Sequence, residues 1–343
     1  MKKATKKPDF ENFLKVLRCD PAAKPALFEM FMGERIYEAL SGKSLQVQTP
    51  LERLKIVVEA FANAGYDYAT THACNFGFPT AVKHQAQSVS LNEGSVIHDR
   101  ESFEAYPWPD PDACEYSHLA DIDPFLPDNM KLMVMGPGGV LENVTALVGY
   151  DTMCYMLYDD PGLLEDIFAA VGSRMVRYYE NAAQFDSVGV LMSNDDWGFK
   201  TQTFFSLPDM RKYVFPWHRK IAAACHAAGK PALLHSCGYM GDVMDDIIED
   251  MQYDGKHSYE DCIIPVEESY RRWGGRIAIL GGIDLDYLMR TPPEEIRARC
   301  KAMLELAGGK GGYALGSGNS IPDAVPLEQY FAMLGSLVEY EEV

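Results

Sequence analysis

Three shortages bound what this chain can be. It has no apolar run near the ~18 residues a membrane-crossing helix needs, no Cys-x-x-Cys pair, and too few basic residues to balance its acids. Without the long run, no membrane span is expected. The 31 Lys and Arg against 50 Asp and Glu leave a net charge of −19. Such a surface repels nucleic acid and anionic membranes, and it disfavours polyanionic ligands. Eight scattered cysteines in 343 residues read as reduced thiols of a cytoplasmic protein, not as a disulfide framework. The basic start, Met1 to Pro8, is followed by no apolar segment, so neither a signal peptide nor an anchor is expected. Catalytic signatures are missing too. There is no Gly-x-Ser-x-Gly and no His-Glu-x-x-His, and Gly136-Pro137-Gly138-Gly139 lacks the Gly-Lys-Ser/Thr ending of a P-loop. That turn is expected to line a substrate before a helix.

What is present is a regular alternation. Eight short apolar runs read as strands, at 25–31, 67–73, 131–136, 188–193, 231–237, 253–258, 277–282 and 312–317. Helical patterns lie between most of them. Ser206-Leu207-Pro208-Asp209 and Thr291-Pro292-Pro293-Glu294 each set a hydroxyl cap, an early proline and an acid at a helix start. Eight β–α units predict an α/β fold, a (β/α)8 TIM barrel forming one domain over 1–343. The irregular stretch 74–130, with Phe76, Phe78, Tyr106 and Trp108, reads as an inserted, lid-like excursion between strands two and three.

In such barrels chemistry sits at the C-terminal strand ends. The fifth strand ends in His235-Ser236-Cys237. Residues two apart on a strand share a face, so an imidazole and a thiol project together, two ligands that zinc prefers. The plainer alternatives are a core histidine bonded to a backbone carbonyl and a small buried cysteine. Other strand ends supply Glu29, His72, the Asp195-Asp196 pair, His257 with Glu260, and Asn319 in the Gly-rich loop Gly316–Ser320. Asp195-Asp196 alternatively cap the following helix, and Asn319 alternatively serves as a turn residue.

The LLHSCG strand, the DDWG turn, the GGID strand and the GSGNS ending together resemble the uroporphyrinogen decarboxylase superfamily, over residues 10–340. The resemblance implies a barrel of that type with two known chemistries. The decarboxylase branch carries an arginine-rich motif after strand one and an aspartate after strand two. Here those places read Phe28-Glu29-Met30-Phe31-Met32-Gly33-Glu34-Arg35 and Thr71-His72-Ala73-Cys74, without the arginine pair or the aspartate. The zinc-dependent methylcobamide:thiol methyltransferase branch is closer. Its His-x-Cys matches His235 and Cys237, while Asn319 stands where its second cysteine is expected.

The resemblance therefore implies an enzyme, a corrinoid-linked methyltransferase that moves a methyl group between a donor or thiol and a corrinoid, assisted by zinc. The alternative is a decarboxylase acting on a carboxylic acid other than uroporphyrinogen. His235 and Cys237 are the expected metal ligands, with a third to come from His257, Glu260, Glu29 or the Asp195-Asp196 pair. Asp195, Asp196, His257 and Glu260 are the expected catalytic groups, and Glu29, His72 and Asn319 the expected substrate contacts. Expected partners are a corrinoid-binding protein, a small methyl donor or acceptor, and a second copy in a homodimer.

Overall fold

The computed structural model describes residues 7–81, 91–92 and 94–341. Its strands are β1 (Ala26–Leu27), β2 (Tyr68–His72), β3 (Lys131–Met135), β4 (Val188–Asn194), β5 (Ala232–His235), β6 (Gly255–His257), β7 (Ala278–Leu280) and β8 (Tyr313–Leu315). All are parallel and follow the order β1-β8-β7-β6-β5-β4-β3-β2. Chain neighbours are sheet neighbours, the curled sheet of a (β/α)8 barrel with helices around it. Strands covered on both faces read as nearly continuous apolar runs, as at β3 and β7, while β2 and β6 carry polar residues within the same alternation. Each ladder stops short of the predicted run, except β4, which gains Asn194. The residues trimmed from the C-terminal ends include Glu29, Ser236, Cys237, Ser258 and Ser317, together with the glycines of the rim turns.

One seam is closed differently. Among the described residues no ladder joins β1 to β2. Instead the Tyr68 hydroxyl accepts from Glu29 N at 2.8 Å and donates to Glu29 O at 2.9 Å. A buried side chain thus satisfies the backbone groups a neighbouring strand would otherwise pair.

Register builds the site. Asn194 aligns with His235 and His235 with His257, so one row crosses β4, β5 and β6 at the rim. The helix starts largely follow the sequence: Ser206 accepts from Asp209 N and Asp160 from Leu163 N. Thr291 is a correction. It ends the helix Leu285–Arg290, and Pro292 caps Pro293–Ala307 without a side-chain bond.

The excursion 74–130 is described except for 82–90 and 93. Its rings pack on one another, with Phe76–Phe78 at 5.3 Å and Tyr106–Trp108 at 4.7 Å. Arg174 lies 4.9 Å over Trp108 and donates to Pro109 O, and Arg177 pairs with Asp112. These bonds tie it to the flank of the helix Pro161–Ala182.

Candidate metal centre

Three potential ligand atoms, from Asp196, His235 and Cys237, lie within 4.8 Å of one another. Two loops make this so. Beyond β5, Gly238 has φ +93°, and a Cβ there would sit 2.3 Å from Gly198 O. The β4 and β5 turns therefore meet backbone to backbone, which only glycine allows. That contact brings Asp196 Oδ1 to Cys237 N at 2.8 Å. His235 Nε2 is 3.5 Å from Cys237 Sγ and 3.7 Å from Asp196 Oδ1. Ligands on a tetrahedral zinc, with bonds of ~2.0–2.3 Å, are about 3.4–3.6 Å apart. The imidazole nitrogen stands at about this spacing from both the sulfur and the carboxylate oxygen, a donor set that suits that ion.

The protonation pattern fits as well. His257 Nε2 lies 3.1 Å from Ser317 O, and a carbonyl only accepts, so this nitrogen carries the proton. His257 Nδ1 is then an acceptor, and His235 Nδ1, 2.9 Å away, must donate to it. His235 Nε2 is left with a bare lone pair aimed at the thiol and the carboxylate. Burial favours these neutral rings. It lowers His235 to about 4, and it holds His257 well below the usual histidine range with help from His235 beside it. Burial, reinforced by Asp196, raises the Cys237 thiol. Without a cation the site holds a neutral imidazole and a thiol, and a dication would draw the thiol to thiolate.

The remaining predicted residues separate into distinct places. Asp195 turns away from Asp196. Its carboxylate accepts from Leu141 N and Glu142 N, each at 3.0 Å, and from His218 Nε2 at 2.8 Å. The Gly-rich turn after β3 does cradle an anion, and that anion is Asp195: a Cβ on Gly139 would lie 2.0 Å from its Oδ1. Trp197, fully buried against Phe215 and His218, anchors the turn and sends the two acids opposite ways. His257 supports His235 from within. Glu260 lines a small pocket with Lys256, Ser269 and Trp273 and is not among the clustered ligand atoms. Asn319 does touch Cys237. Its Oδ1 accepts from Ser320 N at 2.7 Å, which orients its Nδ2 toward the sulfur at 3.4 Å. It is a donor to the sulfur, standing where a thiolate ligand was expected.

Glu29 is wholly buried, and burial pushes its carboxyl up to about 8. Ser317 Oγ contacts both Glu29 Oε1, at 2.8 Å, and the Asn319 carbonyl. One hydroxyl proton serves only one of them, and the carbonyl cannot give one back. Glu29 is accordingly the protonated partner that donates to Ser317. His72 stacks on Phe31 and lines an open cleft of about 1360 Å³ over β1–β3, shared with Thr70, Cys74, His118 and Pro137. Sequence reasoning missed Glu142, Lys256, Ser258 and Ser317. Lys256 left one signal, a charge inside a strand too short to reach solvent.

A family profile described as Uroporphyrinogen decarboxylase (URO-D) matches residues 95–340. A curated Uroporphyrinogen decarboxylase from Anaeromyxobacter sp. (strain Fw109-5) is 29% identical over 129 residues, which are 38% of this chain and 36% of that protein. The match thus spans about a third of the curated relative. Among solved structures, a methyltransferase from Methanosarcina mazei superposes with a TM-score of 0.70 at 16% identity, covering 96% of this chain and 98% of that one. At that identity the likeness shows a shared fold. No described helix is long and apolar enough to cross a membrane. With a profile matching well over half its length, the chain belongs to the uroporphyrinogen decarboxylase (URO-D) family.

Proposed function

We propose that this protein is a zinc-dependent methyltransferase that passes a methyl group between a corrinoid, carried on a partner protein, and a small thiol or other methyl donor. The observation that carries the reading is the Asp196, His235 and Cys237 set, with the His235 Nε2 lone pair left free by the His257–Ser317 relay. Zinc held there would supply Lewis acidity that makes a substrate thiol a thiolate at neutral pH.

The chain's own residues do the rest. His235, Cys237 and Asp196 give three ligands and leave one position for substrate. His257 fixes the His235 tautomer. Asn319 Nδ2–H donates to Cys237 Sγ and holds its charge in place. The cleft over β1–β3, lined by Phe31, His72 and Phe76, is large enough to seat the body of a ligand whose reacting end lies at β4–β6.

The test is metal analysis of protein purified without chelator, with the methyl transfer followed by the absorbance change of methylcobalamin over a panel of thiols. One zinc per chain is expected, lost with activity in Cys237→Ala. Absence of zinc, together with full activity in Cys237→Ala, would overturn the reading. A second reading is decarboxylation of a small carboxylic acid, favoured by the activity named for the curated relative. It predicts CO2 release by metal-free protein.

A further inference from the structure

Lys256 is a buried cation without a carboxylate partner among the described residues. It is 3% exposed, in the middle of β6. Its register partner is Leu234, the row alternate to His235–His257, so it points to the outer face of the sheet. There it enters a void of about 20 Å³ lined by Met240, Met244, Ser269 and Trp273, room for about one water. Its ammonium donates to Ser258 O and lies 4.3 Å over the Tyr259 ring. Among the described residues Ser258 O is the acceptor it finds, leaving two of its three N–H groups to the void, and the nearby Ser269 Oγ and Tyr259 hydroxyl are themselves without partners there. A buried charge left this way costs stability, so its retention points to work done elsewhere.

The route to the metal centre is short. Lys256 bonds the carbonyl of Ser258, and the Ser258 hydroxyl lies 3.8 Å from Cys237 Sγ. The charged and titratable groups around the ammonium are Asp196 from the β4 turn, His235 and Cys237 from β5, and His257 and Glu260 from β6 and its loop. The helix Val266–Trp273 contributes Ser269 and Trp273 to the same void. Burial lowers Lys256 to about 8, which leaves it charged at neutral pH.

Charge counting then gives a reason for it. A dication with the Asp196 carboxylate and the Cys237 thiolate sums to zero, so a second thiolate would enter a neutral, low-dielectric site. We propose that Lys256 is the internal counter-cation of the substrate thiolate, making the loaded centre neutral after the thiol has bound and lost its proton to bulk water. This rests on the metal reading above. Its sign is distinctive, because the ammonium repels a bare dication and attracts the thiolate that follows.

The experiment uses Co2+ in place of zinc and 2-mercaptoethanol as probe, reading the sulfur-to-cobalt charge-transfer band against pH. In Lys256→Met, Co2+ should bind at one per chain as tightly as in wild type or tighter. The pH midpoint for thiolate binding should rise by about one unit, making the thiol roughly tenfold weaker at neutral pH. Lys256→Arg should restore the wild-type midpoint. Lys256→Gln serves if the Met variant does not fold. Coincident midpoints in cobalt-loaded wild type and neutral variants would overturn the assignment of Lys256 alone. Failure of wild type to take up Co2+ would bring down the metal reading, and this assignment with it.

Discussion

The two histidines of the site are held neutral, and the cysteine is held protonated, by the same burial. Metal uptake must therefore displace one proton, from Cys237, and none from His235 near pH 7. Zinc affinity is expected to fall about tenfold for each pH unit lowered between 8 and 6, a slope of one proton. Competition with a chromophoric chelator at several pH values checks this, and a slope of two would mean that His235 also carries a proton. Glu29 gives a second prediction at this scale. Its carboxyl is raised from 4.5 to about 8, so the native state keeps a proton that the unfolded chain has lost. Stability contributed by Glu29 is present below pH 4.5 and is lost as pH rises toward 8. Glu29→Gln, which can still donate to Ser317, should change stability by less than about 1 kcal/mol at pH 5 and raise it on the order of 4 kcal/mol at pH 8, measured by urea unfolding. A period of two put His235 and Cys237 on one face in the sequence; they do lie 3.5 Å apart, although β5 ends at His235 and the bond of Cys237 N to Asp196 helps place the cysteine. The sequence did not reveal which of Asp195 and Asp196 faces them, because that is decided by the helix Val140–Val148, whose free N–H groups capture Asp195. Nor could a sequence show that Asn319 presents nitrogen to sulfur.

At the scale of elements, strands such as β3 and β7 were legible because parallel strands buried on both faces are mostly apolar, whereas β2 and β6 carry Thr70, Thr71, Lys256 and His257 and rest on the regular β–α alternation. Their ends and the helix caps were less so, as Thr291 shows, since a cap depends on where the preceding helix stops. The glycines of the turns carry the precision that composition hides. Gly238→Ala is expected to cost about 1–3 kcal/mol, from its positive φ and the overlap with Gly198 O. It should also weaken zinc binding, because separating the two turns moves Asp196 off Cys237. Thermal melting and zinc titration of the variant check the two effects separately. Loss of stability with unchanged zinc affinity would show that the ligand set does not depend on this contact.

At the scale of the molecule, the barrel is a ribbon of seven ladders whose last seam hangs on the Tyr68 hydroxyl. Tyr68→Phe leaves Glu29 N and O without that partner and should cost about 2–4 kcal/mol in chemical denaturation. A loss under 1 kcal/mol would show that water replaces the hydroxyl at no cost. The wide cleft lies over this same side of the rim, at β1–β3, whereas the candidate ligands Asp196, His235 and Cys237 follow β4 and β5, the next strands of the sheet. The mouth is thus divided into a roomy half and a reactive half. A ligand bound across it is measured like a key against a lock's depth. On the proposed reading, one too short to reach from the cleft to Cys237 would bind without reacting, and one that fits only the Asp196–His235–Cys237 end would react without being recognised.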